Sequence, residues 1–352
     1  MSGLRVALLY NSKMHVPLPP DAPEDALAEY DSEDTILGLK AALESGGHRV
    51  TPLEGDESLL DSIRELRPDI CFNICEGIHG DARESQVPAL LEMLGIPYTG
   101  SKVLTHATSL DKVVAKRIWR DHGLPTAPFQ VFRHPDEPLD SELAFPLFVK
   151  PSREGTGMGI NESSVVTDEP GLRRRVEWVL RTYRQPALVE AYLPGREFTV
   201  GLIGNTLAAG ESPRSSFYDQ RGFHVFPVLE IDVGDLTGSD RLYTGYIKSK
   251  TPMAPRYLCP APIPAELATE LQDLAVRAFE AIGGLDLSRV DLRLGADGRP
   301  YLLEINTLPG LNPTISDIVL AAKGEGVEYK FVILEILGLA LCRYGLSLGS
   351  RV

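Results

Sequence analysis

The chain has 352 residues, 43% of them hydrophobic, and 35 basic against 49 acidic side chains leave a net charge of −14. That excess of acid argues against a nucleic-acid partner or docking on an anionic membrane, so any phosphate must be held by locally placed bases. The length exceeds what one hydrophobic core usually serves and predicts two or three packed subdomains. No run reaches the roughly 18 apolar residues of a membrane span, and residues 1–9 lack the basic start and long apolar core of a secretion signal. A cytoplasmic protein is therefore expected. Only Cys71 and Cys75 among the four cysteines are near neighbours, which predicts reduced, mostly buried thiols and not a disulfide framework or zinc site.

In chain order, residues 4–9 read as a short apolar strand, and 17–23 as a proline-rich loop. Residues 35–43 have helical apolar spacing that stops at Gly46-Gly47. A second strand over 69–74, a helix over 86–94 halted by Gly95 and a short strand over 96–99 complete a βαβ pattern. An open parallel sheet binds ligands beyond the carboxyl ends of its strands, so Glu76 points toward a cleft. A domain boundary falls near residue 105, and a helix over 111–122 follows.

Residues 145–150 form a strand whose last residue, Lys150, runs into a loop with glycines at 155, 157 and 159. Such spacing lets backbone N–H groups approach an anion, with Lys150 adding a compact charge. It is not the GxxxxGK[ST] spacing of a P-loop. Strands over 187–190 and 197–202 come next. Glu190 ends its strand where it can accept from an adenine amine, and Glu197 is placed either to accept from ribose hydroxyls or to be a solvated edge acid. Residues 235–257, rich in Gly, Ser and Thr and carrying Lys248, read as a long loop suited to a lid.

Residues 288–306 read as a hairpin with Asp297-Gly298 as its two-residue turn. Pairing about that turn sets Asp291 opposite Glu304 and Arg289 opposite Asn306 on one face, with Val290, Leu292, Leu303 and Ile305 on the core face. Opposed carboxylates need a neutralising partner. Oxygen ligands from Asp, Glu and Asn suit magnesium, while Arg289 is the alternative neutraliser.

Taken together, the ordered motifs GIPYTGS (95–101), LDK (110–112), KPSREG (150–155), EFTV (197–200), RVD (289–291) and LEIN (303–306) with Pro309-Gly310 resemble the D-alanyl-D-alanine ligase family of ATP-grasp enzymes. The resemblance spans most of the chain. It implies an α/β fold: an N-terminal open sheet domain (1–105), then two subdomains, central (106–194) and C-terminal (195–352), that clasp ATP. It implies that Lys112, Lys150 and Lys248 bind nucleotide phosphates, that Glu190 and the Leu193 backbone hold adenine, and that Glu197 binds ribose. Asp291, Glu304 and Asn306 would bind two magnesium ions, with manganese as a substitute. The implied chemistry moves the γ-phosphoryl of ATP onto a small carboxylic acid, and an amine then attacks the acyl phosphate. Arg289 and the Gly310 N–H would stabilise the oxyanion, Arg289 would also help to hold the second substrate's carboxylate, and a homodimer is what the resemblance suggests.

Departures from the family pattern concentrate in the amino-acid subsites. Glu76 replaces the usual histidine, Ser249 the aromatic residue after Lys248, and Thr156-Gly157 a serine pair. Glu29, with Glu33 competing, is the loose candidate for holding the first amino group. Ser316 fits the carboxylate-binding serine only with a one-residue shift. These changes leave the identity and chirality of both substrates open.

Overall fold

A computed structural model describes residues 3–16, 21–234 and 256–346; Lys248, Ser249, nearly all of the expected lid and part of the proline-rich loop lie outside them. The N-terminal part is a parallel sheet in the order β2 (Arg49–Glu54), β1 (Arg5–Tyr10), β3 (Ile70–Asn73). β1 is the central strand and almost wholly buried, as expected of a parallel strand covered on both faces. Helix α1 (Glu33–Ser45) starts where Ser32 accepts the Thr35 N–H, with Glu33 and Asp34 favourably placed at the positive end of the helix dipole. Helices α2 (Leu59–Leu66) and α3 (Gln86–Leu94) follow, and α3 ends at Gly95 as expected. The expected strand over 96–99 reduces to one bridge between Cys71 and Tyr98. Pro97 offers its carbonyl to the Cys71 N–H but has no N–H of its own to continue a ladder.

After α4 (Val103–Leu110) and α5 (Lys112–Asp121), a four-stranded antiparallel sheet runs in the order β4 (Phe129–Phe132), β7 (Ala187–Ala191), β5 (Leu147–Pro151), β6 (Val165–Val166). Leu172, Val176 and Val179 of α6 (Glu169–Tyr183) pack on one face of it. The last sheet, also antiparallel, is ordered β11 (Arg256–Leu258), β10 (Leu229–Asp232), β8 (Glu197–Gly204), β12 (Asp286–Leu294), β13 (Pro300–Asn306), with β9 (Phe223–Val225) on β8. Helix α7 (Ala265–Ala281) covers one face together with Trp119 of α5. Helices α8 (Asp317–Gly324) and α9 (Tyr329–Arg343) turn back onto the first sheet: Val6, Leu8 and Leu39 share a core with Val332, Ile336 and Ala340.

The β12–β13 hairpin keeps the expected register where the acids are, with Arg289 opposite Asn306 and Asp291 opposite Glu304. Toward the turn it differs. The pairing shifts after Asp291 so that Leu292 faces Leu302, and Leu303 becomes the extra residue of a bulge. The connection is five residues, 295–299, closed by the Gly295 N–H on the Arg299 carbonyl, and not the two-residue turn. The bulge reverses one expectation: Leu302 is fully buried in the core, while Leu303 lines a cavity on the opposite face.

Candidate active site

The first cavity lies between the two antiparallel sheets. Asp111 caps α5 by accepting the Val113 and Val114 N–H groups, so Lys112 begins the helix and Lys116 follows one turn later on the same face. Lys116 is fully buried, with Nζ 2.8 Å from Glu190 Oε2, and Lys150 Nζ is 2.8 Å from Glu190 Oε1. Burial alone would raise the Glu190 carboxyl, but the two ammonium groups outweigh it and hold it at about 2. Each lysine thus takes one oxygen of the Glu190 carboxylate. Phe148, Met158, Leu193, Ile231 and Leu303 make the apolar lining beside it. Glu197 lies in the same cavity, 3.5 Å from Arg293 Nη1, and burial pushes its carboxyl up to about 7.

At the hairpin end, Arg289 donates to Asp291 Oδ1 and Oδ2 at 3.0 and 2.8 Å, and Thr199 donates to Asp291 Oδ1 at 2.5 Å. Burial and the facing Glu304 still leave the Asp291 carboxyl raised. Lys112 Nζ is 3.1 Å from Glu304 Oε2. Burial works against the Glu304 charge as well, yet Lys112, Lys150 and Arg289 hold that carboxyl at about 2. Among the described residues no three His, Cys, Asp or Glu side chains group at metal-holding distance, and the opposed acids are neutralised by Arg289 and Lys112. The donor set still fits a hard cation. Two carboxylates face each other across the strands, and Asn306 Nδ2 is buried without a hydrogen bond, so reversing the amide to present Oδ1 breaks none.

The glycine loop differs from its expected open cradle. The Gly155 N–H donates to Glu29 Oε1 at 2.6 Å and the Gly159 N–H to Asp25 Oδ2 at 2.9 Å. A Cβ on Gly155 would lie 2.5 Å from Glu29 Oε1, so a larger residue there would push the carboxylate away from the backbone N–H it accepts. Arg83 completes the junction, 2.6 Å from Glu29 and 3.2 Å from Glu154. The competing candidate Glu33 is exposed in the first turn of α1.

A second cavity opens beyond the first sheet and is lined by Glu29, Asp31, Glu76, Glu84, Gly310 and Ser316. Glu76 reaches it because Gly77 turns the chain at φ +76°, with no room for a side chain against the Arg83 carbonyl oxygen 2.2 Å from an ideal Cβ. Burial raises the Glu76 carboxyl well above the usual range, and Glu84, Glu29 and Asp31 add to the rise. Burial also takes Asp31 to about 8. Ser316 precedes α8, and its Oγ accepts the Asn312 N–H at 2.8 Å. Lys112, Thr156, Arg289 and Asp317 line both cavities and form the wall between them.

The D-ala D-ala ligase C-terminus family model matches residues 118–338. The chain belongs to the D-alanine–D-alanine ligase family. It is 32% identical to the D-alanine–D-alanine ligase of Bordetella petrii over 87% of this chain and 86% of that one. It is also 37% identical to an uncharacterized protein of Sinorhizobium fredii, over 93% and 91%. The crystal structure of D-alanine–D-alanine ligase from Bacillus anthracis complexed with ATP superposes with a TM-score of 0.72 at 21% identity, covering 97% of this chain and 99% of that one, a likeness in fold. The fold is ATP-grasp, and the chain is an ATP-dependent ligase that forms carbon–nitrogen bonds. None of its described helices is long and apolar enough to cross a membrane.

Of the expected site residues, Lys112, Lys150, Glu190, Leu193, Glu197, Arg289, Asp291 and Glu304 meet in the first cavity. Glu29, Glu76, Asn306, Gly310 and Ser316 meet in the second. Sequence reasoning passed over Lys116, Arg83, Arg293 and Asp317. The spacing of Lys112 and Lys116 on one helix face offered a signal for the first of these; an acid opening a helix, as Asp317 does, offers none.

Proposed function

We propose that this ligase joins a small carboxylic acid to an amine through an acyl phosphate, with ATP leaving as ADP and phosphate. The shared wall of Lys112, Thr156, Arg289 and Asp317 carries the reading, because a phosphoryl group in one cavity can reach an acid in the other only across it. On this reading Lys112 and Lys150 hold the phosphates, and Glu190 with the Leu193 backbone receives adenine. Glu197 takes the ribose hydroxyls, and Lys248, outside the described residues, is a further phosphate ligand. Asp291, Glu304 and Asn306 would hold magnesium, or manganese, once Arg289 and Lys112 release the two carboxylates. When bound, the metal neutralises charge on the phosphates. Arg289 and the Gly310 N–H stabilise the oxyanion as the amine attacks, while Glu29, Glu76 and Ser316 face the substrates. A homodimer rests on the family resemblance alone, and light scattering decides it.

D-alanyl-D-alanine is one product reading, and an amide of another acid or amine is the second. The acidic lining of Glu29, Asp31, Glu76 and Glu84 favours the second. The test is ADP release with magnesium, ATP and a panel of acids, with hydroxylamine as a generic nucleophile and product masses recorded. Hydroxamate formed from one acid supports the acyl phosphate, and D-alanine alone yielding its dipeptide selects the first product. ADP release with no hydroxamate from any acid would sink the reading.

A further inference from the structure

The second amino-acid subsite contains a carboxylate of the chain's own. On the family resemblance, Arg289 and the serine near 316 hold the carboxylate of the incoming amino acid. Here Arg289 Nη1 lies 3.2 Å from Asp317 Oδ2, while Nε and Nη2 donate to Asp291. Release of Asp291 to a metal would free Nε and Nη2 and leave Asp317 in place. Ser316 Oγ accepts the Asn312 N–H, which fixes its place and leaves its O–H to donate, so the discrimination at this end falls to Asp317.

Asp317 is only 4% exposed, and its Oδ1 is buried with no hydrogen-bond partner even though the residue lines both cavities. A buried carboxylate oxygen needs a donor, and a substrate carboxylate brings none. It brings like-charge repulsion instead. Asp31 Oδ2, in the same cavity, is likewise buried without a partner.

Resting on the ligase reading, we infer that Asp317 is a specificity residue that excludes acceptors with a free α-carboxylate. It admits amines that present an N–H donor at that end, an amide or a second ammonium. The acceptor class is an amine without a carboxylate, and the product of its ligation carries an amide or amino end in place of an acid.

The test is calorimetric titration of the full chain with magnesium and ADP, using matched probes: alanine against alaninamide, in both chiralities, and β-alanine against 1,3-diaminopropane. Binding does not require turnover, so it is judged separately from the hydroxamate assay that decides the ligase reading. Alaninamide or the diamine should bind at least about tenfold tighter than its carboxylate partner. Asp317→Ser should erase or reverse that ratio. Asp317→Asn, which keeps the shape and one acceptor, should lose the diamine by about tenfold while retaining alaninamide, and it guards against a variant that fails to fold. Alanine binding as well as alaninamide, a ratio unmoved in both variants, or no binding of any probe at millimolar concentration would each overturn the inference.

Discussion

The two cavities share a wall and are both lined by more acids than bases, but they pair those acids differently. In the first cavity the buried acids have close cations: Glu190 has Lys116 and Lys150, Glu304 has Lys112, and Asp291 has Arg289. At the second cavity Glu29 turns to Arg83 at its margin, while Asp31 Oδ2 is buried without a hydrogen bond and Glu76 faces other acids. In the first cavity the close ion pairs lie within the chain, whereas in the second the acids meet fewer cations, and such under-paired surfaces are where members of one fold diverge in substrate.

The sharpest way to break that contrast is to remove an acid from each side. Glu190→Leu leaves Lys116 and Lys150 buried without their partner and should cost about 3–5 kcal/mol, read by chemical denaturation. Adding Lys116→Met should recover part of the loss. If Glu190→Leu is neutral, the ion cluster is not what holds this cavity together. Glu304→Gln should leave the fold intact and lower magnesium-dependent kcat by about 10²–10³-fold. Unchanged turnover would remove Glu304 from the metal set.

On the substrate side the sign reverses. An acid whose folded pKa is raised holds its proton more tightly when native, so its contribution to stability declines as pH rises from the unfolded to the folded value. For Asp31, at about 8, the native state is therefore penalised progressively between about pH 4 and pH 8. Asp31→Asn should melt with the parent below about pH 4 and above it by a few degrees near pH 8. Glu190 and Glu304, held at about 2, behave oppositely: their stabilisation is full above about pH 4 and is lost as pH falls toward 2. Equal melting of Asp31→Asn and parent at pH 8 would mean that Asp31 is solvated. The smallest effect is expected at the bulge. Leu303→Ala should raise KM for ATP about tenfold at most and leave the melting temperature near the parent's, whereas a loss of stability would return Leu303 to the core.

What the sequence made legible follows from the reach of each signal. Strand alternation placed Asp291 opposite Glu304 because both sit on the regular side of the hairpin. The bulge was hidden because Leu302 and Leu303 are the same residue, so the hydrophobic pattern is identical whichever one faces the core. The glycines at 155, 157 and 159 marked a close backbone approach, but no local pattern reveals that carboxylates from residues 25 and 29 are what approach. Lys116 shares the helix face of Lys112, but that it is buried depends on Glu190, Thr126 and Leu302, which arrive from other elements. Asp317 was invisible for the same reason, since its meaning depends on Arg289, 28 positions earlier in a strand.

The shared core of the first sheet and the last helix has a consequence for how the chain is made. Val6, Leu8 and Leu39 leave the ribosome long before Val332, Ile336 and Ala340, the residues that cover them. The cover of the N-terminal sheet, begun early by Leu39, Ala42 and Leu43 of α1, is therefore completed only when nearly the whole chain has been made. Premature termination before residue 329 yields a product in which α1 packs on that face without its α9 partner, leaving part of it exposed as a substrate for chaperones and proteases.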